Sequence, residues 1–267
     1  MKITVIYKQK GSKKVLKNYR GIFLALIISK IFEGLIKKRI NENLENINIL
    51  QAGSRSNRGP QDQVFLLRGC VDRYVSQKKP LYITSYDYEQ AFDSLWVEDC
   101  IMSLKELGIS KEMLQLIYSL NEKANVVVKT PFGLTDAFTT NPIVKQGTVL
   151  GSILCSSSTA QYCGLNEGVH IGSMLLATLA YVDDIIDLTK STEDCRASHE
   201  NALLFSAMKK LILSATKCYN MVINQDADNQ PIELEIEYGK LVQIAEEITY
   251  LGDVFNSKGN NDGLIQD

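Results

Sequence analysis

Two adjacent carboxylates, Asp183 and Asp184, lie between two apolar runs, residues 173–180 (SMLLATLA) and 185–188 (IIDL). Runs this short are typical of buried strands, so the segment predicts a hairpin with both carboxylates at its tight turn. Neighbouring carboxylates repel each other unless a cation or a proton is present. An open turn of this kind suits a divalent metal such as Mg²⁺, which takes hard oxygen ligands. The alternative is a solvated turn, in which aspartate is common.

A third carboxylate, Asp87, lies near the end of a predicted strand over residues 81–88 (LYITSYDY). The chain then turns into a helix for which Asp93 or Ser94 is a plausible N-cap. An acidic strand end beside the Asp183–Asp184 hairpin would bring three carboxylates to one or two metal ions, about 4 Å apart in two-metal sites. Asp93 is the rival ligand, and Asp87 is preferred because a cap would already use the Asp93 side chain.

Six stretches, taken in chain order, resemble the reverse transcriptases of non-LTR (LINE-type) retrotransposons. Two positions depart from the family pattern, since Ser54 stands where phenylalanine is usual and Ser152 where proline is frequent. The stretches are residues 18–22 (NYRGI), 51–55 (QAGSR), 87–96 (DYEQAFDSLW), 144–151 (VKQGTVLG), 181–184 (YVDD) and 250–252 (YLG), the last predicted as a late strand.

The resemblance implies an α+β fold of the right-hand polymerase type. We expect a fingers subdomain over residues 1–80 and a palm subdomain over 81–267, with a fingers-side segment near 125–145 and no thumb. The palm should be a small antiparallel sheet of the ferredoxin or RRM kind, backed by helices. It should carry Asp87 beside the hairpin of residues 181–184.

The implied activity is that of an RNA-directed DNA polymerase, a nucleotidyltransferase that adds dNTPs to a primer 3′-OH within a retrotransposon polyprotein. By resemblance, Asp87, Asp183 and Asp184 hold Mg²⁺, for which Mn²⁺ can substitute, and Lys217 protonates the leaving pyrophosphate as a general acid. The alternative for Lys217 is an ordinary surface lysine. The implied partners are an RNA template, a DNA primer or template, and dNTPs. The family also implies an intracellular, nuclear setting. No protein partner is indicated.

Further residues are expected at the nucleotide by their positions in the family motifs. Lys8 or Lys10 and Arg20 would reach the triphosphate, and Phe92 would lie under the sugar and discriminate against a 2′-hydroxyl. Ordinary explanations stand beside these: loop charges for the lysines and a core aromatic for Phe92. The remaining expected contacts are Tyr88, Gln146, Gly147 and Tyr181.

Charge is distributed unevenly along the 267 residues. The net charge is −2, yet residues 1–40 contain eleven Lys/Arg and one acidic residue, Glu33, for a net of +10. This asymmetry indicates a basic face for phosphates, whose binding would weaken with salt. The alternative is a solvated basic segment.

A helix is predicted over residues 24–44, where Leu26, Ile27, Ile31, Leu35 and Ile40 recur near helical spacing. We expect this apolar stripe to be core. No apolar run approaches the roughly 20 residues of a membrane span, and the first residues lack the apolar core of a secretory signal.

The six cysteines form no CxxC pair, and we expect buried free thiols. The two histidines are too isolated to suggest a metal site, and His199 is predicted to lie at the surface.

Two other functions are compatible with parts of the sequence. A non-catalytic nucleic-acid-binding remnant is favoured by Ser54, by Ser152 and by the missing thumb, and disfavoured by the retention of all three carboxylates. A nucleotidyl cyclase explains neither the Gln146–Gly147 segment nor the entry at residues 19–22 (YRGI).

Overall fold

The structure is a computed structural model that describes residues 1–9 and 11–259. The chain forms two compact units. Unit 1 joins Met1–Asn46 to Phe92–Ser158, and unit 2 joins Ile47–Ala91 to the chain from Thr159 onward. These boundaries differ from the subdomain limit expected at residue 80, and the assignment of fingers and palm stays a prediction.

Helices and strands alternate irregularly along the chain. The helices are α1 (Ile27–Leu44), α2 (Pro60–Gln77), α3 (Ala91–Ser94), α4 (Val97–Glu106), α5 (Lys111–Asn121), α6 (Val149–Thr159) and α7 (Thr192–Lys209). The strands are β1 (Lys2–Tyr7), β2 (Tyr19–Leu24), β3 (Leu81–Tyr86), β4 (Asn125–Thr130), β5 (Gly133–Leu134), β6 (Phe138–Thr139), β7 (Val169–Ile171), β8 (Met174–Leu176), β9 (Thr178–Tyr181), β10 (Asp184–Thr189), β11 (Tyr219–Ile223), β12 (Glu235–Glu237), β13 (Lys240–Leu241), β14 (Gln243–Ile244), β15 (Glu247–Tyr250) and β16 (Asp253–Asn256).

The main sheet of unit 2 has the strand order β14-β11-β3-β10-β9, with β3 antiparallel to both β10 and β11. Its strands are apolar and β-branched, and nearly every residue of β3, β9, β10 and β11 is buried. Helices α2 and α7 both contact this sheet. Burial on both faces explains why these strands appear in the sequence as short continuous apolar runs.

A buried polar network lies between this sheet and α7. Asp187 on β10 is 1% exposed, and its carboxylate accepts hydrogen bonds from Thr178 (2.7 Å), Ser198 (2.5 Å) and Asn166 (3.3 Å), as well as from the Tyr162 hydroxyl. Burial raises the pKa of Asp187 to about 6, although the four donors act in the opposite direction. The carboxylate thus has no cationic partner in this network but is well supplied with donors.

His199 belongs to the same face of the sheet, contrary to the surface position predicted for it. It is 4% exposed, stacks on Tyr86 and has its Nε2 atom 2.9 Å from the Glu235 carbonyl oxygen. Its ring nitrogens pair with the Tyr86 hydroxyl of β3 and the Glu235 carbonyl of β12, so protein groups and not solvent are its hydrogen-bond partners. Burial lowers the pKa of His199.

In unit 1 the sheet has the order β2-β1-β4-β5, in which β1 is antiparallel to β2 and parallel to β4. Its strands alternate between half-buried and exposed residues, and Val126 of β4 and Phe23 of β2 are among the few fully buried side chains in these strands. This sheet is therefore much more open to solvent than the sheet of unit 2.

The apolar stripe of helix α1, which was predicted to be core, is mostly exposed to solvent. Ile40 is buried as predicted, but Leu26, Ile27, Ile31 and Leu35 are exposed, by 76%, 77%, 59% and 55%. The helix turns a different set of side chains inward, namely Glu33, Ile36, Ile40 and Leu44. Periodicity predicted the helix but not which of its faces packs against the chain.

Two smaller expectations concern the cysteines and the final motif. All six cysteines are buried and free, as predicted. Residues 250–252 do not form one strand, because Tyr250 ends β15 and the chain turns at Leu251–Gly252 into the antiparallel β16. Among the described helices, none combines the length and the apolarity needed to cross a membrane.

Candidate active site

The turn between β9 and β10 carries Asp183, and Asp184 opens β10 opposite Tyr181. Val182 adopts a positive φ of 61°, which is costly for a β-branched residue and needs support from its surroundings. This conformation turns the chain sharply at Val182, and Asp183 and Asp184 follow directly after it. The predicted hairpin is therefore present, with its tip in a strained backbone conformation, but only Asp183 lies in the turn, because Asp184 already pairs with Tyr181 as the first residue of β10.

Gln51 supplies the support at Val182. Its amide accepts from the Val182 backbone N–H (2.9 Å) and donates to the Val182 carbonyl (3.0 Å) and to the Thr159 hydroxyl (2.8 Å). Thr159 in turn donates to the same carbonyl at 2.7 Å. Gln51 is fully buried, so these bonds are shielded from water and fix the hairpin tip.

Asp87 directly follows β3, and the strand register brings it to the same sheet end. Tyr86 pairs with Ile185, so one further antiparallel step places Asp87 opposite Asp184. Facing residues in such pairs have Cα atoms about 4.5–5.5 Å apart. The Asp87 backbone is fixed by its carbonyl, which accepts from the Ser214 N–H at 2.9 Å. The three carboxylate-bearing positions thus meet at one end of the unit 2 sheet.

The Asp87 side chain itself contacts Lys217. The Lys217 ammonium donates to Asp87 Oδ1 at 2.7 Å, and both side chains are partly exposed to solvent. In the described part of the chain, no three His, Cys, Asp or Glu side chains are grouped as a metal site would require. The backbone positions of the three aspartates would let them share a bound cation. The Asp87 carboxylate, however, pairs with the ammonium group of Lys217.

The expected helix cap is not at Asp93 or Ser94. Both lie within the short α3, and α4 begins after Trp96, whose backbone occupies the N-cap position without a side-chain cap. Burial raises the pKa of Asp93, while the charge of Lys8 lowers it. Helix capping therefore does not occupy the Asp93 side chain, and the choice of Asp87 over Asp93 depends on strand register.

Within unit 1, Lys8 and Arg20 lie on one face of the β1–β2 pair. Arg20 faces Ile6 in the register, and Lys8 follows Ile6 by two residues, so their side chains project to the same side. Arg20 is exposed. Lys10, the other expected triphosphate contact, lies outside the described residues.

The Gln146–Gly147 turn is anchored to β2. The Gln146 carbonyl accepts from the Phe23 N–H at 2.9 Å. Gly147 has a φ of 97°, and a Cβ there would approach the Ile22 side chain to 2.9 Å and the Phe23 carbonyl oxygen to 3.2 Å. Glycine is required here both by backbone conformation and by contact.

The helix that follows this turn, α6, is held at its start by Glu33 of α1. The Glu33 carboxylate accepts from the Leu150 N–H at 3.1 Å, and Thr148 Oγ1 accepts from the Gly151 N–H at 3.1 Å. A buried carboxylate at a helix N-terminus satisfies an otherwise unpaired donor and favours the helix dipole. Glu33 thereby fixes the position of the turn that carries Gln146.

The expected aromatic contacts differ in exposure. Tyr181 and Phe92 are half-buried, so part of each ring is open to solvent. Tyr88 is only 6% exposed and forms a backbone bridge with Leu213. Tyr88 thus has the least free surface of the three for a nucleotide contact.

Comparison with known families shows to which family the chain belongs. The family model described as reverse transcriptase (RNA-dependent DNA polymerase) matches residues 7–255. This chain belongs to the reverse transcriptase family. The resemblance found through the six sequence stretches is thereby confirmed.

Curated relatives of this reverse transcriptase chain come from mobile elements. It is 29% identical to the RNA-directed DNA polymerase from mobile element jockey of Drosophila funebris. The alignment covers 90% of this chain and 27% of the relative. It is 28% identical to the probable RNA-directed DNA polymerase from transposon BS of Drosophila melanogaster, with 94% and 28% covered. The chain thus spans about a quarter of the length of these relatives.

Solved structures of telomerase from Candida tropicalis have the same fold. The complex with a TWJ fragment of telomeric RNA has a TM-score of 0.65 at 16% identity, covering 100% of this chain and 45% of that one. The apo form lacking its C-terminal domain has a TM-score of 0.63 at 15% identity, with 96% and 53% covered. The predicted α+β fingers–palm polymerase fold is confirmed.

The sequence alone did not predict the positioning roles of Gln51 and Glu33. Gln51 was seen only as part of a motif, although its position as the first residue of that motif was a usable signal. Glu33 is the one acidic residue in the basic segment of residues 1–40, and that isolation was a second signal. Their roles depend on contacts with Val182 and Leu150, which are distant in sequence.

Proposed function

We propose that this reverse transcriptase chain carries the nucleotidyl-transfer site of an RNA-directed DNA polymerase. It would add dNTPs to a primer 3′-OH opposite an RNA or DNA template, as a module of a retrotransposon polyprotein. The observation that carries the proposal is the strand register that sets Asp87 opposite Asp184, with Asp183 in the adjoining turn. Gln51 holds that turn in place.

The side chains at this sheet end suit a divalent cation by their chemistry. Asp87, Asp183 and Asp184 would be the ligands, and carboxylate oxygens are what Mg²⁺ and Mn²⁺ prefer. When bound, the cation lowers the pKa of the primer 3′-OH and offsets charge on the triphosphate. For Asp87 to join the ligand set, its carboxylate must leave the Lys217 ammonium.

The remaining roles are assigned to residues of this chain by position. Lys217 would then be free to donate a proton to the leaving pyrophosphate. Arg20 and Lys8, exposed on one face of β1–β2, would bind triphosphate oxygens, and Arg20 offers the bidentate fork. The Gln146–Gly147 turn would approach the nucleotide backbone, and the half-exposed ring of Phe92 would stack under the sugar.

The test is primer extension on an RNA template with Mg²⁺ at low salt, using wild type, Asp183→Ala and Asp136→Ala. Asp136 is an exposed aspartate of unit 1 and serves as the matched control. We expect wild type and the control to extend and Asp183→Ala to lose extension by about 10³-fold or more, because a ligand of the reacting centre is removed. Wild-type extension by Asp183→Ala would contradict the site.

One observation favours the second candidate, a nucleic-acid-binding remnant without activity. The Asp87 carboxylate forms an ion pair with Lys217, and no three-carboxylate group is assembled among the described side chains. Salt-dependent RNA binding by the wild type, without extension at any Mg²⁺ or Mn²⁺ concentration, would identify the remnant.

A further inference from the structure

Helix α1 has apolar residues on two opposite faces. Its inward face consists of Glu33, Ile36, Ile40 and Leu44, all buried. Helical geometry, at about 100° per residue, puts Ile28, Ile31 and Leu35 on the opposite side, where they are 79%, 59% and 55% exposed. An apolar stripe on a helix ordinarily packs against protein. The outward face is therefore a surface that the described chain leaves uncovered.

The spacing of this outward face is that of a coiled-coil seam. Ile28, Ile31, Leu35, Lys38 and Glu42 follow one another in steps of three, four, three and four residues. This is the 3.5-residue repeat with which one helix packs lengthwise against another. Ile27 and Phe32, which flank the seam, are also exposed and widen it. The pattern suits a helix as the covering element better than a flat sheet or a single side chain.

Charge decides against a second copy of α1 as that element. In a parallel pair, Lys38 would face Lys38 and Glu42 would face Glu42, and like charges at a seam are unfavourable. In an antiparallel pair, the apolar parts overlap only between Ile28 and Leu35, roughly 10 Å of helix. Beyond this overlap, Lys38 and Glu42 would project past the start of the second copy, because α1 begins at Ile27.

We propose that the outward face of α1 is a docking site for a helix of a different protein segment, one with an apolar 3.5-residue seam flanked by acidic residues. Apolar side chains of that helix would cover Ile28, Ile31 and Leu35. Its acidic residues would lie against Lys38 and Arg39, which are both exposed. This docking site is proposed independently of polymerase activity.

The test uses synthetic helical peptides of about 21 residues, or three heptads, as probes. One has apolar seam residues flanked by glutamates, a second has lysines in their place, and a third has the first composition with the seam out of register. Binding of each labelled peptide to the full chain is measured by fluorescence anisotropy. We expect the acidic in-register peptide to bind about tenfold or more tightly than the other two.

Variants then locate the site. Ile31→Ser/Leu35→Ser should weaken binding of the acidic peptide about tenfold or more, because the apolar seam is lost. The matched control is Leu204→Ser/Met208→Ser, which removes two exposed apolar residues of α7 at the same spacing and should leave binding unchanged. Lys38→Glu should reverse the preference between acidic and basic peptides. Thermal melting by circular dichroism confirms that each variant is folded, as expected for exposed positions.

Several results would overturn the proposal. Equal binding of the three peptides, or equal loss with the α1 and α7 variants, would show non-specific adhesion. Sedimentation that reveals a dimer, abolished by Ile31→Ser/Leu35→Ser, would make a second copy the occupant. Flotation with anionic vesicles, lost in the same variant, would make it a membrane surface.

Discussion

The two sheets of the molecule, in unit 1 and unit 2, differ in how fully they are covered. Strands β3, β9, β10 and β11 of unit 2 are buried almost throughout, whereas β1, β2 and β4 of unit 1 alternate between half-buried and exposed positions. The carboxylates proposed for catalysis follow the covered strands, and Arg20 lies on an open one. Groups that must hold one geometry are thus built on the rigid sheet, as precise sites require.

The difference extends to how each unit fixes its functional turn. Unit 2 fixes its turn with buried side-chain hydrogen bonds from Gln51 at Val182, and the Asp187 network adds further buried hydrogen bonds along β10. Unit 1 fixes its turn with close backbone contact at Gly147 and one buried carboxylate, Glu33. Substitutions should therefore cost most stability in unit 2 and cost less in unit 1.

The largest effect is expected for Asp187→Ala. The change leaves the buried donors of Thr178, Ser198 and Asn166 without their acceptor, which should destabilise the fold by about 3–5 kcal/mol. The measurement is urea unfolding. The control is Asp72→Ala on an exposed position of α2, expected within about 0.5 kcal/mol of wild type. A loss for Asp187→Ala no greater than for Asp72→Ala would show that the network contributes nothing.

The free energy of unfolding should depend on pH because the buried Asp187 carboxylate titrates. Burial raises the pKa of Asp187 from 3.8 to about 6, so the folded state binds a proton that the unfolded state releases near pH 4. The stabilising contribution of protonation is complete below pH 4 and is lost as pH rises through 6, on the order of 3 kcal/mol.

Asp187→Asn isolates this contribution, because asparagine does not titrate. Unfolding free energies of wild type and variant should be compared from about pH 4 to pH 7. We expect the wild-type advantage over the variant to shrink as pH rises. A difference that stays constant or grows with pH would contradict the assignment.

Whether the sequence predicts a structural feature depends on how far apart along the chain the contacting residues lie. Short apolar runs predicted β3, β9 and β10 and the hairpin carrying Asp183, because a strand buried on both faces is marked by its own composition. The hydrogen bonds from Gln51 to Val182 and the Asp187 network were not predicted, since each joins residues far apart in sequence. For α1, periodicity predicted the helix, yet local pattern cannot state how many of its faces the chain covers.

In unit 1 the sharpest test of the backbone contact is Gly147→Ala. The residue has a φ of 97°, and its Cβ would meet Ile22 at 2.9 Å, so we expect a loss of about 2 kcal/mol and a raised KM for dNTPs. Gly172→Ala is the matched control, since its φ is 62° with open space around the Cβ position. It should cost only the conformational penalty, about 1 kcal/mol. If both variants lose equal stability, the close approach at Gly147 is not a constraint.

The smallest effect on stability and on the Mg²⁺ requirement is expected for Lys217→Met, which removes the ion pair with Asp87. The extension rate itself should fall, because the proposed general acid is lost. Because both side chains are partly exposed, the pair should contribute less than about 1 kcal/mol to stability. The same energy opposes entry of Asp87 into a metal site, so the Mg²⁺ concentration for half-maximal extension should fall by up to about fivefold.

Lys240→Met is the control for this last change, because it breaks a surface pair with Glu237 of similar length, 2.8 Å, and should leave the Mg²⁺ requirement unaltered. A fall in that requirement only for Lys217→Met would mean that the rigid sheet holds Asp87 in place while its carboxylate exchanges an internal cation for a metal. An unchanged or higher requirement would mean that Lys217 does not compete for Asp87.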